Sequence, residues 1–317
     1  MALKTPDFNY IYSFNFDHHH NELCKLESRH LFDDEEKNKL LFSNIKVDPT
    51  ISSFIKNRFE IIVSSENYSE LIKKIKEEDI HSEEFKVEYL ILDGDGTGYR
   101  ERLEKLRDIG YSIEGESNYY APAKIYSICN YQDVWYFGVL IKQNKEWQRH
   151  KKKPYSFSNS LSTDIAKTLI SVASKGNKNI NLLDACCGVG TVLLEACFAG
   201  FNIEGCDINW KAIRHTRQNL AHYNYTANVY LSDVKDLNKK YDAAIIDLPY
   251  NLYSYSDDLI ISNIIESTAK LTTRIVIVSI SDISNLINNT GFSISDSCNV
   301  GKSGKGKFAR KIWVCEK

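Results

Sequence analysis

The chain has 317 residues, 43% of them hydrophobic and 26% charged, which is long enough for two ordinary domains and too apolar for disorder. Its net charge of −2 excludes a strong overall field for nucleic acid, so any such surface must be local. No apolar run approaches the ~20 residues of a membrane span. The first residues lack a secretory apolar core, and the eight cysteines follow neither a disulfide framework nor zinc spacing. A cytoplasmic chain with reduced thiols is expected.

In the N-terminal half, strand-like and helical patterns alternate. Residues 9–16 suit a strand, and 21–32 have helical spacing of Leu23, Leu26 and Leu31. Residues 59–64 are β-rich, and 68–78 place Leu71, Ile72 and Ile75 on one helical face. An apolar run follows at 87–92, then a helix over 99–109 carrying Leu103, Leu106 and Ile109, with Gly110 as its stop. Residues 123–129 and 134–141 read as a hairpin. This predicts an N-terminal α+β domain over 1–141.

Residues 142–160 form a basic linker with Lys142, Lys145, Arg149, Lys151, Lys152 and Lys153, ending at Pro154. It reads equally as a solvated connection or a nucleic-acid contact through Lys151, Lys152 and Lys153. Beyond it, 162–173 is a predicted helix. Strands follow at 180–185, 202–207, 227–231, 242–247, 274–280, 292–299 and 308–315, with helices near 190–199, 210–222, 257–270 and 282–289. Such alternation predicts an α/β domain over 161–317 with a mostly parallel seven-stranded sheet. The short loop between the last two strands makes them an antiparallel hairpin.

Two motifs carry chemistry. The apolar run ending at Asp184 enters Cys186-Cys187-Gly188-Val189-Gly190, a glycine turn that lets backbone approach a ligand. Asp207 closes the next strand, 23 residues after Asp184, where a carboxylate can accept from both ribose hydroxyls. The turn lacks the third glycine of a pyrophosphate-binding G-x-G-x-x-G. With Asp184 beside it, the site suits the cationic cofactor S-adenosylmethionine, with Ile208 packing on the adenine and Asp233 accepting from its amino group.

The second motif is Asp247-Leu248-Pro249-Tyr250, at the end of the fourth strand of this domain. An exocyclic amine on a base is a poor nucleophile because its lone pair is delocalised into the ring. The Asp247 carboxylate and the Leu248 carbonyl, both accepting from its N–H bonds, would draw it towards tetrahedral geometry. Pro249 would stiffen the turn and Tyr250 would stack on the base. No cysteine stands where carbon methylation of a pyrimidine would need a nucleophile, so nitrogen is the expected acceptor.

Three other patterns are decoys. Residues 93–104 imitate a calcium loop, but a strand precedes them where a helix is needed. Gly301–Lys307 imitates a phosphate loop, but Phe308 replaces the hydroxyl ligand of magnesium. That loop can still hold RNA phosphates through Lys302, Lys305, Lys307 and Arg310. His18-His19-His20 cannot share one helical face, and no metal is expected.

The segments DACCGVGT and DLPYN resemble those of the class I amino-methyltransferases, whose fourth motif is Asp, Asn or Ser, then Pro-Pro, then an aromatic. Within them the chain is similar to the THUMP-associated tRNA guanosine N2-methyltransferases, which have aspartate in that motif. Residues 153–166 resemble the lead-in helix of those enzymes, and residues 113–138 the end of a THUMP domain. The resemblance implies a Rossmann-like methyltransferase domain, S-adenosylmethionine, an RNA partner with tRNA foremost, and N2 of guanosine as acceptor. Leu248 departs from the pattern, keeping the carbonyl of the first proline and losing the stiffness of its ring. The readings left beside this one are amino-methylation of DNA adenine or cytosine, or of a protein glutamine, and an RNA-binding module on an inactive scaffold. Intact Asp184, Gly188, Gly190, Asp207 and Asp247 speak against the last. A monomer is the default.

Overall fold

The computed structural model describes residues 8–158, 160–249, 255–301 and 309–317, with only the backbone of 255–257. In chain order the strands and helices are β1 (Tyr10–Phe14), α1 (Asn21–Phe32), β2 (Leu40–Ser43), β3 (Ile55–Ser65), α2 (Tyr68–Glu77), β4 (Phe85–Tyr89), α3 (Tyr99–Gly110), β5 (Lys124–Tyr131) and β6 (Val134–Lys142). They continue with α4 (Thr163–Ser174), β7 (Asn181–Asp184), α5 (Thr191–Ala199), β8 (Asn202–Asp207), α6 (Trp210–His222), β9 (Asn228–Leu231) and β10 (Ala243–Asp247). The last are α7 (Tyr255–Ala269), β11 (Arg274–Ser279), α8 (Ser284–Asn288), β12 (Ser293–Gly301) and β13 (Ala309–Glu316).

Two compact units result, and no single cut in the chain separates them. One comprises the described residues up to Asn15, Glu36–Pro49 and Ile55–Gln143; the other comprises Phe16–Glu35, Thr50–Phe54 and the described residues from Asn144 onward. The expected boundary at 141/142 therefore misses two early segments that fold with the C-terminal unit.

The first unit is built on a sheet ordered β2-β1-β3-β6-β5-β4, antiparallel except for the β4–β5 pair. Alternation along β5 sends Tyr126 and Ile128 to one face and Cys129 to the other, giving each face its own core. Leu71 and Ile75 of α2 and Ile109 of α3 cover the first face, as their helical spacing predicts. Asn67 caps α2 by accepting from the Glu70 N–H at 3.2 Å. The strand β2 was missed, because Leu40-Leu41-Phe42-Ser43 is too short to show a period.

The second unit is built on a sheet ordered β12-β13-β11-β10-β7-β8-β9. Pairs among β11, β10, β7, β8 and β9 are parallel, and β13 runs antiparallel to both β11 and β12, as expected of the closing hairpin. Every residue of β11 is buried, which is the pattern of a strand covered on both faces. On one face Ile246, Leu248, Ile275 and Ile277 pack with Ile261 and Ile265 of α7 and Ile287 of α8. Helix α5 is buried nearly all round because it sits centrally against α4 and β8.

The early segments join this unit through buried and charged contacts. Leu23 and Leu26 of α1 are fully buried, and the helix packs on α4. Arg29 holds Asp296 of β12 through two bonds of 2.8 and 2.9 Å. Glu27, itself buried, is bonded by the Ser52 hydroxyl. Among the described residues, no helix is long and apolar enough to cross a membrane.

Candidate active site

The glycine turn connects β7 to α5 at the carboxyl edge of the parallel sheet, where ligands of open α/β sheets bind. Gly188 (φ +52°) and Gly190 (φ +81°) both take the left-handed conformation. At Gly190 a side chain is also excluded sterically, since a Cβ would lie 2.7 Å from Cγ2 of Thr216. Two groups fix the loop. The Gly188 N–H donates to Asp207 Oδ2 at 2.9 Å, and the Thr216 hydroxyl donates to the Gly188 carbonyl at 2.7 Å.

A cavity of about 240 Å³ opens over this turn. Asp184, Gly188, Asp207, Asp247, Leu248 and Pro249 line it, so both sequence motifs meet on one space. Three carboxylates therefore face one cavity, and among its described lining residues there is no lysine, arginine or histidine. Asp184 is buried, and its carboxyl is held well above the usual range by that burial, then by repulsion from Asp247 and Asp207; the Cys186 backbone N–H opposes the rise. A cation entering here relieves the repulsion, so the charge of the site fits a ligand with ammonium and sulfonium groups. Asp207 uses Oδ1 on the Asn209 N–H (2.8 Å) and Oδ2 on Gly188, and each oxygen keeps a lone pair for a hydroxyl donor. The thiols of Cys186 and Cys187 are pushed up by burial, which leaves them protonated and unreactive.

At the second motif, β10 delivers Asp247 half-buried at the cavity edge. Leu248 is only 3% exposed, packed in the core beneath α7. Its N–H donates to the Val278 carbonyl of β11 at 3.1 Å. Proline cannot make that bond, so the turn recovers by pairing with the neighbouring strand the stiffness that the ring would have given. Tyr250 lies outside the described residues.

Other expected residues fall elsewhere. Ile208 is 76% exposed and Asp233 caps the turn at Val234–Asp236 through the Lys235 N–H, and neither lines the cavity. The basic linker keeps Lys142, Lys145, Arg149, Lys151 and Lys152 exposed but is anchored by two buried rings. Residues 146–152 form a 3-10 helix that buries Trp147 and His150, and His150 Nδ1 lies 2.8 Å from Glu195 of α5. Lys152 is exposed, Lys151 lies 3.8 Å from Asp164, and Lys153 is half-buried, with burial pushing its ammonium down and Glu195 opposing. Arg310 is buried in the β12–β13 hairpin, with 5% exposure, so it does not present a guanidinium to phosphates as expected. Lys302, Lys305 and Lys307 lie outside the described residues.

Sequence reasoning missed one wall. Phe157, Ser160 and Leu161, from the segment before α4, line the cavity, as does Asn209, the cap of α6. It also missed Thr216 and Asn219, both fully buried on α6. Their signal was present: two polar residues on the face of α6 that also buries Ala212, Ile213 and Leu220.

The chain resembles known proteins over parts of its length. Residues 150–257 match the family model described as "RMKL-like, methyltransferase domain". The chain is 33% identical over 118 residues to the tRNA (guanine(10)-N2)-dimethyltransferase of Methanothermobacter thermautotrophicus, covering 36% of this chain and 35% of that protein. To the enzyme of the same name from Methanocaldococcus jannaschii it is 24% identical over 231 residues, covering 65% of this chain and 62% of the other. It thus spans about a third of the first relative's length and under two thirds of the second's. Among solved structures, TrmN from Thermus thermophilus aligns with 97% of this chain and 99% of its own at 13% identity and a TM-score of 0.49. The second unit is thus an α/β domain on a mostly parallel seven-stranded sheet, similar over residues 150–257 to the RMKL-like methyltransferase domain.

Proposed function

We propose that the chain is an S-adenosylmethionine-dependent RNA methyltransferase acting on an exocyclic amine, with N2 of a tRNA guanosine as acceptor. The observation that carries this reading is the convergence of Asp184, Asp207 and Asp247 on one cavity with no basic side chain among its described lining residues. S-adenosylmethionine supplies the methyl group when bound. Asp207 would hold the ribose hydroxyls, and Asp184 would face the cationic end. Asp247 and the Leu248 carbonyl would accept the two N–H bonds of the target amine and set its lone pair towards the cofactor. Catalysis is then positioning and electrostatic complementarity, with no base needed to remove a proton first; the methylated nitrogen would give up its surplus proton afterwards, through Asp247 to water.

The names of the two archaeal relatives support tRNA and guanine N2 as the target. The first unit, and exposed Lys152 of the second, would contact RNA by shape and phosphate. A cytoplasmic, monomeric enzyme without a metal is the working form. Incubation with labelled S-adenosylmethionine and separate tRNA, rRNA, DNA and protein pools, followed by nucleoside analysis, tests the assignment. Labelled N2-methylguanosine from tRNA is expected. Label confined to DNA or protein overturns it.

A further inference from the structure

The two walls of the cavity come from distant parts of the second unit, and one side chain holds both. Asn219 of α6 is fully buried and does not line the cavity. Its Nδ2 donates to the Val189 carbonyl of the glycine loop at 2.9 Å and to the Tyr155 carbonyl at 2.9 Å. Its Oδ1 accepts the Tyr155 N–H at 3.0 Å. Both donors and the acceptor are thus used, and the amide has one workable orientation. Flipped, it would set its oxygen against two carbonyls and its NH2 against an N–H.

What Asn219 grips leads directly to the cavity on both sides. Val189 lines it, next to Gly188, whose carbonyl Thr216 holds one turn earlier on the same helix. Tyr155 stacks on His215 with ring centroids 4.3 Å apart and planes 8° apart. Phe157, two residues on, also lines the cavity, with its N–H bonded to Ser160 Oγ at 3.1 Å and its carbonyl accepting the Ser160 N–H at 3.0 Å.

We propose that Asn219 is a positioning residue that sets cofactor affinity by holding the glycine loop and the segment bearing Tyr155 and Phe157 at one fixed spacing. This rests on the reading of the cavity as the S-adenosylmethionine site. The hydrogen bonds of Asn219 go to Val189 and Tyr155, and among the described residues none goes to Asp247, Leu248 or Pro249. Its loss releases two walls of the cofactor cavity and leaves the acceptor groups in place.

The test measures S-adenosylhomocysteine binding by calorimetry, and methylation of bulk tRNA, for the wild type, Asn219→Ala and Asn219→Asp. Asp keeps the acceptor for Tyr155 and turns an oxygen on the two carbonyls. Both variants are expected to weaken binding on the order of tenfold or more, the effect of losing about one buried hydrogen bond's net worth. KM for the cofactor rises in step, while KM for tRNA and kcat at saturating cofactor stay within about twofold of wild type. Unchanged binding in a folded variant, or a fall in kcat with cofactor KM unmoved, sinks the proposal. If neither variant folds, hydrogen exchange on the wild-type protein decides. The Tyr155 amide is expected to slow when S-adenosylhomocysteine saturates, and no change there sinks the proposal equally. A wild type that binds neither S-adenosylmethionine nor its product overturns the cofactor reading itself, which separates the two failures.

Discussion

The N–H of Leu248 donates to the carbonyl of Val278, 3.1 Å away on the adjacent parallel strand, and so pins the turn that bears Asp247. Two changes at this position separate the bond from the packing. Leu248→Pro deletes the donor, leaves the Val278 carbonyl short of a partner and also removes part of the buried side chain, so the lost bond should add about 1–3 kcal/mol to a packing loss. Leu248→Ala keeps the bond and empties a buried site, which should cost about 2–5 kcal/mol. Thermal melts of the two variants check this, and a proline variant as stable as wild type would show that the bond does nothing for the turn.

Asp247 lines the cavity and, in the proposed mechanism, holds the target amine, while Asp207 and Thr216 hold the glycine loop. Asp247→Ala should lower kcat by about a hundredfold or more, the scale of losing a preorganised polar contact to the reacting group. Affinity for S-adenosylhomocysteine should stay within about threefold of wild type. Single-turnover kinetics beside calorimetry separate the two effects. Full turnover in this variant would refute the role given to Asp247.

The two glycines of the loop should respond unequally to the same substitution. At Gly188 an added Cβ meets no atom within 4 Å, so Gly188→Ala costs only the left-handed backbone, about 1–2 kcal/mol. At Gly190 the same backbone cost is joined by a Cβ 2.7 Å from Thr216 Cγ2, the side chain that holds Gly188. Gly190→Ala should be the less stable variant and the weaker cofactor binder. Equal melting temperatures for the two would contradict the packing argument.

Glu27 gives the second unit a pH-dependent weakness. Burial raises its carboxyl to about 7, against the opposing effects of Ser52, Ser171 and Lys167. The folded state therefore keeps a proton that the unfolded chain releases from pH 4.5 upward. The contribution of Glu27 to stability is whole below that pH, falls as pH rises through the window to about 7, and is then constant. The full loss is at most about 3 kcal/mol. Glu27→Gln should flatten this slope, measured as the difference between variant and wild-type unfolding free energies from pH 4 to 8. A difference independent of pH would place the titration elsewhere.

Much of the cavity lining is legible in the sequence. Asp184, Gly188, Asp207 and Asp247 meet at one cavity because each motif sits at the carboxyl end of a strand, and strand ends are written in local apolar runs and the turns that follow. The order of helices and strands in the second unit followed from the same periodicity. Ile208 and Asp233 were placed by offset alone, and offset does not say which way a side chain leaves an exposed loop.

The sequence by itself determined the elements of the second unit, the glycine turn and the acidic acceptor turn, because these are local patterns of period, charge and backbone permissiveness. Only the tertiary structure decided that α1 folds with the second unit, that the 146–152 segment is anchored by buried Trp147 and His150, that Leu248 is tied to Val278, and that Asn219 joins the two walls. Each of these is a contact between residues far apart in the chain. Hydrogen bonds between such residues leave no period in the sequence, only an occasional polar residue on a face that should be apolar.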